Sequence, residues 1–362
     1  MHRTIRTICC LFFIFAMTLS LAACNNAGNV TPPVEPPAVT ATPAEETPDT
    51  PADTQTIVVV DQAGRTVEID GSVEKIVSGY YISSSTCIAL GLENKLVGIE
   101  AKAANRPIYA MAAPALLELP NVGTAKEFNL EGCVALEPDL VILPKRLQES
   151  AAIIEELSIP VLLVNPEGHA ALVEMIALIG QATGANDTAA KLIAYYNDEL
   201  KAVAGLTAGI VEKPNVLLCG NSAYLETAPK DMYQASLIDA AGGVNAAAEI
   251  EGDNWVGVSY EQFIAMNPDV IVVPGEASYT VEDILGDAQL RDITAVREKA
   301  VYQMPKGFEA WDSPVPSCTL GIRWMLYALH ENLYPLEELQ TCAAEFYREF
   351  YHMEIDIALI GK

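Results

Sequence analysis

Two acidic residues stand at matching places in two distant segments. Glu131 opens the run EGCVALEPDLVILP and Glu261 opens EQFIAMNPDVIVVP. Each run is a helical turn, a Pro-Asp break (Pro138-Asp139, Pro268-Asp269) and an apolar strand ending in proline. A carboxylate at a helix start is favoured by the helix dipole by about a few tenths of a kcal/mol, which is reason enough for either glutamate. Their equivalence in two halves also suits docking onto a partner with two-fold symmetry. A second group lies where strands are expected to end, the place where open α/β sheets bind ligands. It comprises Tyr80, Tyr81, Arg106, Tyr109, Lys145 and Arg146, then Tyr224, Trp255, Glu276, Phe308 and Trp311. Aromatic walls with a few charged groups suit a small-molecule cleft. Structural alternatives stand beside these: Lys145 and Arg146 as a solvated helix start, Tyr80 packed under the next helix, Trp311 in a core.

Bond-making chemistry has no comparable support. The chain contains no G-x-x-x-x-G-K-[ST], G-x-G-x-x-G or G-x-S-x-G, and His330-Glu331 lacks the second histidine of H-E-x-x-H. His169, His330 and His352 are scattered and read as surface or helix-end residues, so no metal site is expected. No cofactor is expected either.

These residues need elements to hold them. Ile57–Val60 and Thr66–Ile69 alternate around Gln62-Ala63-Gly64-Arg65 as a hairpin. Apolar strands at 75–78, 96–99, 140–143 and 161–164 alternate with helical patterns at 84–90, 130–136 and 148–157. After residue 211 strands at 216–219, 270–273 and 300–304 follow, with helices at 233–240, 317–329 and 336–351. Between the halves, Leu192, Ile193, Tyr196, Leu200 and Val203 recur at helical spacing over 186–206, with Asn186 or Asp187 as the N-cap. The fold class expected is α/β: two Rossmann-like lobes with parallel sheets, 57–184 and 211–362, joined by one long linking helix within 185–210.

The first fifty-six residues belong to neither lobe. Arg3 and Arg6 precede an apolar run closed by Leu21-Ala22-Ala23-Cys24, which reads as a lipoprotein signal peptide over 1–23 with Cys24 as the acylated N-terminus. Residues 24–56, rich in Pro, Thr, Ala and acids, read as a disordered tether. Cleavage removes two basic residues and no acid, taking the net charge from −27 to −29. Nucleic acid is therefore excluded as a partner, and the membrane is reached through the lipid. Cys87, Cys133, Cys219, Cys318 and Cys342 lack metal or disulfide spacing and read as free thiols.

Three features in order, Val60-Asp61-Gln62-Ala63-Gly64-Arg65-Thr66-Val67, the twin Glu…Pro-Asp motifs, and Gly307-Phe308-Glu309-Ala310-Trp311-Asp312-Ser313-Pro314, carry a resemblance over residues 57–355. The chain resembles the ABC-importer substrate-binding lipoproteins for siderophores, haem and cobalamin, class III periplasmic binding proteins, some of which carry molybdate or tungstate. The resemblance implies an extracytoplasmic monomer, lipid-anchored to the cell membrane, that is not an enzyme. It would capture an iron complex, siderophore or haem, between its lobes and deliver it to an ABC permease dimer with its ATPase. Molybdate, tungstate or cobalamin is the alternative cargo, and a surface enzyme or chelatase on the same fold the alternative class. It further implies that Glu131 and Glu261 meet arginines of the permease. Arg106, Lys145 and Arg146 in first-lobe loops point to an anionic metal chelate as cargo.

Overall fold

The computed structural model describes residues 56–252 and 254–362; the signal segment, Cys24 and almost all of the tether lie outside the described residues. Strands β1 (Thr56–Val60) and β2 (Thr66–Asp70) form an antiparallel hairpin. Its turn is built around the buried Asp61, whose carboxylate accepts from the backbone of Ala63, Arg65 and Leu163 and from the Arg65 guanidinium at 2.7 and 2.9 Å. Gly64 supplies the left-handed residue (φ +80°) that the turn needs. Arg65 also donates to the Val161 carbonyl at 2.8 Å, and Gln62 to that of Ala171 at 2.7 Å, so the hairpin is fastened to the first lobe.

Four parallel strands make the first sheet: β3 (Ile76–Ser78), β4 (Leu96–Ile99), β5 (Leu140–Pro144) and β6 (Val161–Val164), in the order β4-β3-β5-β6. The second is built from β7 (Asn215–Leu218), β9 (Val244–Asn245), β11 (Val270–Val273) and β12 (Val301–Gln303), ordered β12-β11-β7-β9, while β8 (Glu226–Thr227) and β10 (Val256–Gly257) form a small antiparallel ribbon. Both sheets follow one path. The first strand is internal, the second is added on one side, and the third and fourth on the other. Each sheet therefore has a topological switch point beside its first strand, where a crevice opens at the carboxyl ends.

Alternate strand residues feed different cores, as a sheet covered on both faces requires. Val77, Val141, Leu143, Val161 and Leu163 face a core private to the first lobe, and Leu217, Ile271, Val273 and Val301 one private to the second. Ile76, Ile142, Leu162, Val216, Leu218 and Val272 all belong to a third core that runs through both lobes.

The linking helix spans Asn186–Thr207 and buries Ala189, Leu192, Tyr196 and Val203 in that shared core. Ala185, with no side-chain cap, takes the N-cap position expected of Asn186 or Asp187. The chain arrives directly from the helix His169–Thr183 through Gly184 in the left-handed region (φ +78°), which leaves no extended residue where an Asn or Asp cap would sit. Gly180 makes the two helices' close approach possible, since a Cβ there would lie 2.5 Å from that of Ala189. His169 is the first residue of the helix His169–Thr183, a helix-end residue as expected, and is half-buried. Its ring meets the Tyr196 hydroxyl on one side and the Ser236 hydroxyl at 3.2 Å on the other, and burial lowers its pKa.

Among the described residues Cys87, Cys133, Cys219 and Cys318 are buried and Cys342 is half-buried, all as free thiols. Among the described residues no helix is long and apolar enough to cross a membrane.

Candidate functional site

The pocket begins at the carboxyl end of β3. Gly79 is required there, because a Cβ would sit 2.6 Å from Leu143 Cδ2. Tyr80 follows in extended conformation as N-cap of the helix Tyr81–Ala89. The Tyr80 carbonyl accepts from the hydroxyls of Ser83 at 2.8 Å and Ser78 at 3.1 Å. Beneath it, the buried Glu100 accepts from Ser84 and, at 2.8 Å, from Tyr109, whose hydroxyl also lies 3.2 Å from the Tyr81 carbonyl. Burial raises the pKa of Glu100 against these hydrogen bonds and Arg106. The tyrosine pair is thus presented on a rigid hydroxyl-bonded turn, with its rings edge to face at 5.3 Å.

Two arginines flank the pair. Arg146, from the end of β5, lies 5.7 Å from the Tyr80 ring centre, and Arg106 stacks on Tyr81 at 3.9 Å. The Arg106 guanidinium also approaches Glu100 at 3.7 Å and, across the cleft, Glu276 of the second lobe at 3.6 Å. The opposite wall comes from Asn221 after β7, from Asp231–Gln234 at the start of the helix Tyr233–Ala240, from Trp255 and from Asp312–Pro314. These surfaces enclose about 420 Å³. That lies toward the lower end of the range of small-molecule pockets, roughly 300–1,000 Å³. Asp312 is 1% exposed and neither of its carboxylate oxygens has a partner among the described residues. Burial, with Glu276 adding to it, pushes its pKa up to about 7.

Of the residues expected in the cleft, Tyr80, Tyr81, Arg146 and Trp255 line this pocket. Glu276 and Phe308 line a neighbouring cavity of about 410 Å³. Arg106 stands between the lobes as described. Tyr109 is fully buried with its hydroxyl taken by Glu100, so it supports the Tyr81 turn rather than facing the pocket. Lys145 is exposed and lines no part of it. Tyr224 shares Asp287 with Tyr260, at 2.9 and 2.8 Å. Trp311 is a core residue, stacked on Phe308 and donating to the Tyr347 hydroxyl at 2.9 Å. The basic rim expected of the first lobe is not assembled: one arginine, Arg146, faces three acids, Glu167, Asp231 and Asp312. Asp231, Tyr233 and Gln234 escaped the sequence reading. They precede or open a helix instead of ending a strand.

A family model described as periplasmic binding protein matches residues 76–307. The chain belongs to the periplasmic binding protein family. Binding proteins of this family deliver small-molecule ligands to ABC permeases. The molybdate-binding protein MolA of Haemophilus influenzae is 25% identical over 327 residues, spanning 81% of this chain and 90% of that one. Its molybdate-bound structure superposes with a TM-score of 0.75 over 83% of this chain and 99% of that one, at 23% identity. YvrC of Bacillus subtilis, an ABC transporter substrate-binding lipoprotein, is 26% identical over 262 residues, 68% of this chain and 78% of its own. A periplasmic solute-binding protein from Veillonella parvula gives a TM-score of 0.75 at 25% identity, covering 84% of this chain and 95% of that one. Glu131, on the short helix Leu130–Val134, and Glu261, in the first turn of Tyr260–Met266, are both exposed in this periplasmic binding protein.

Proposed function

We propose that this protein is the lipid-anchored receptor of an ABC importer, capturing a compact metal chelate between its lobes and performing no bond chemistry. An iron complex, a siderophore before haem, is the first cargo. The observation that carries this is the pocket itself: four aromatic side chains, Tyr80, Tyr81, Tyr233 and Trp255, around about 420 Å³. Such walls suit the organic body of a chelate. A bare dianionic oxyanion would meet three carboxyl groups and one guanidinium there, an unfavourable balance at short range. Molybdate is the second reading, favoured by the match to a protein of that name over 81% of the chain.

Residues 1–23 would be removed, Cys24 acylated and 24–56 left as a tether carrying lobes 57–184 and 211–362 on either side of a linking segment, 185–210. The similarity to a substrate-binding lipoprotein supports this arrangement. Cys24→Ala should block lipidation without changing ligand affinity, and acylation of that variant would overturn the anchor. Glu131 and Glu261 would meet the permease.

Fluorescence titration tests the cargo. The chain has three tryptophans. Trp311 and Trp324 are buried, so quenching should come from Trp255 and vanish in Trp255→Phe. Saturable quenching by neutral or cationic ferric hydroxamate complexes, with none by molybdate, is expected. The reverse pattern would replace the chelate by the oxyanion.

A further inference from the structure

The far wall of the pocket carries unused hydrogen-bonding capacity. Both carboxylate oxygens of Asp312 and the amide oxygen of Asn221 are buried and without partners among the described residues, and both residues line the same pocket, whereas the Tyr233 hydroxyl turns toward Tyr196 and Cys318. Carboxylate and amide oxygens only accept. No base answers them. Arg106 lies 3.7 Å from Glu100 and 3.6 Å from Glu276, with its own Nε buried and unpaired among the described residues, and lines no part of this pocket, whose one basic lining residue is Arg146. The Asp312 carbonyl accepts from the Gln234 amide at 2.9 Å, which ties its backbone and leaves the carboxylate unsatisfied. Buried acceptors of this kind are costly unless a donor reaches them.

We propose that Asp312 and Asn221 form an acceptor subsite for a protonated amine of the cargo, so that the receptor selects chelates bearing a cationic arm. This rests on the metal-chelate reading of the pocket. The chelate body lies against Tyr80, Tyr81 and Trp255, and the amine enters between Asp312 and Asn221, where its N–H groups make charge-assisted bonds to the carboxylate. Asp312 thereby becomes a specificity residue, and Arg146 is left to any anionic face of the same molecule.

Two probes separate this from its alternatives: ferrioxamine B, a ferric trihydroxamate with one free ammonium, and its N-acetyl derivative, which lacks that charge. Each is titrated into the delipidated protein while tryptophan fluorescence is followed, with circular dichroism confirming that every variant is folded. The ammonium form should bind at least about tenfold more tightly than the acetylated one, as a desolvated charge-assisted bond allows. Asp312→Asn and Asp312→Ser should remove that preference, bringing the affinities of the two forms to within about twofold of each other. Equal affinity of the two forms, or a preference that survives in Asp312→Asn, overturns the subsite and leaves the chelate reading standing. Failure of both chelates to bind any of the three proteins overturns the chelate reading and the subsite with it.

Discussion

At the scale of single residues, two buried aspartates respond to pH in opposite senses. Asp312 has its pKa raised from 3.8 to about 7, by burial first and then by the charge of Glu276. Between those values the folded protein holds a proton that the unfolded chain has released. Stability therefore falls as pH rises through that window, and the penalty is complete above pH 7. At about 1.4 kcal/mol per unit, the whole effect is about 4 kcal/mol. Asp312→Asn, which never ionises, should match the unsubstituted protein near pH 4 and exceed its stability by a few kcal/mol at pH 8. Urea unfolding at the two pH values measures this. Glu100 and Glu309, also raised by burial, titrate in both proteins and cancel in the difference. A shift equal at both pH values would mean that Asp312 stays ionised throughout. For Asp61, burial alone would raise the pKa, but the hydrogen bonds from Arg65 and Leu163 prevail and hold it below its usual value. Its stabilisation is present above the unfolded pKa and disappears as pH falls through the folded one. Asp61→Ala leaves the Arg65 guanidinium and the backbone N–H groups of Ala63, Arg65 and Leu163 without this acceptor, and a loss of about 3 kcal/mol is expected in the same unfolding measurement at pH 7.

At the scale of elements, the repeated motif has a structural meaning in both lobes. Asp139 accepts from the backbone of Glu74 and Lys75, each at 2.8 Å, at the entry to β3; Asp269 accepts from Asn215 at 2.9 Å at the entry to β7. Glu137 (φ +48°) and Asn267 (φ +37°) occupy the same left-handed position just before the proline. Each Pro-Asp thus joins the start of the third strand to that of the first, fixing the register that creates the switch point. Removing Asp139 frees two backbone donors and removing Asp269 frees one, at about 1–3 kcal/mol for a donor left unsatisfied and less where water reaches it. Asp139→Ala should therefore lower the unfolding midpoint more than Asp269→Ala; the opposite order would show that these caps do not set strand entry. Short apolar strands were legible because β-branched runs between turn signals have few other uses. The helix His169–Thr183 was not legible. Leu172, Met175, Ile176 and Ile179 are buried, but two of the four residues on the exposed stripe, Ala170, Glu174, Ala177 and Gln181, are alanines, so the polar face that would reveal the period is weak.

At the scale of the molecule, the shared core limits motion. The C-terminal helix Leu336–Tyr351 packs its Tyr347 against Trp311, and the Tyr351 hydroxyl donates to the buried Glu309 at 2.7 Å. Both belong to the apolar core that also holds Ile82 of the first lobe and Tyr196 of the linking helix. Opening the lobes widely would expose that core. Ligand binding should therefore change the backbone by about 1 Å or less, and small-angle scattering should show no resolvable contraction. A clear fall in radius of gyration would contradict the shared core as a brake. Reversal of either docking acid, Glu131→Lys or Glu261→Lys, should impair transport in cells and leave fluorescence-measured binding unchanged; lost binding by a folded variant would place that residue in the pocket.

The fold class and the existence of two similar halves follow from the sequence alone, because periodicity and the Glu…Pro-Asp repeat are local properties of the chain. Tyr80, Tyr81, Arg146 and Trp255 could be anticipated for the same reason: each follows a readable strand or stands in a readable loop. Which charges the pocket presents was decided only in three dimensions. Arg106 is drawn to Glu100, six positions earlier, and to Glu276, far along the chain, and no local pattern announces that pairing. Trp311 has the same letters whether it walls a cleft or fills a core, and only the arrival of Tyr347 from the last helix settles it. Asp312 beside it is left buried and unpaired because the two lobes close around it, a condition that belongs to their packing and to no segment of sequence.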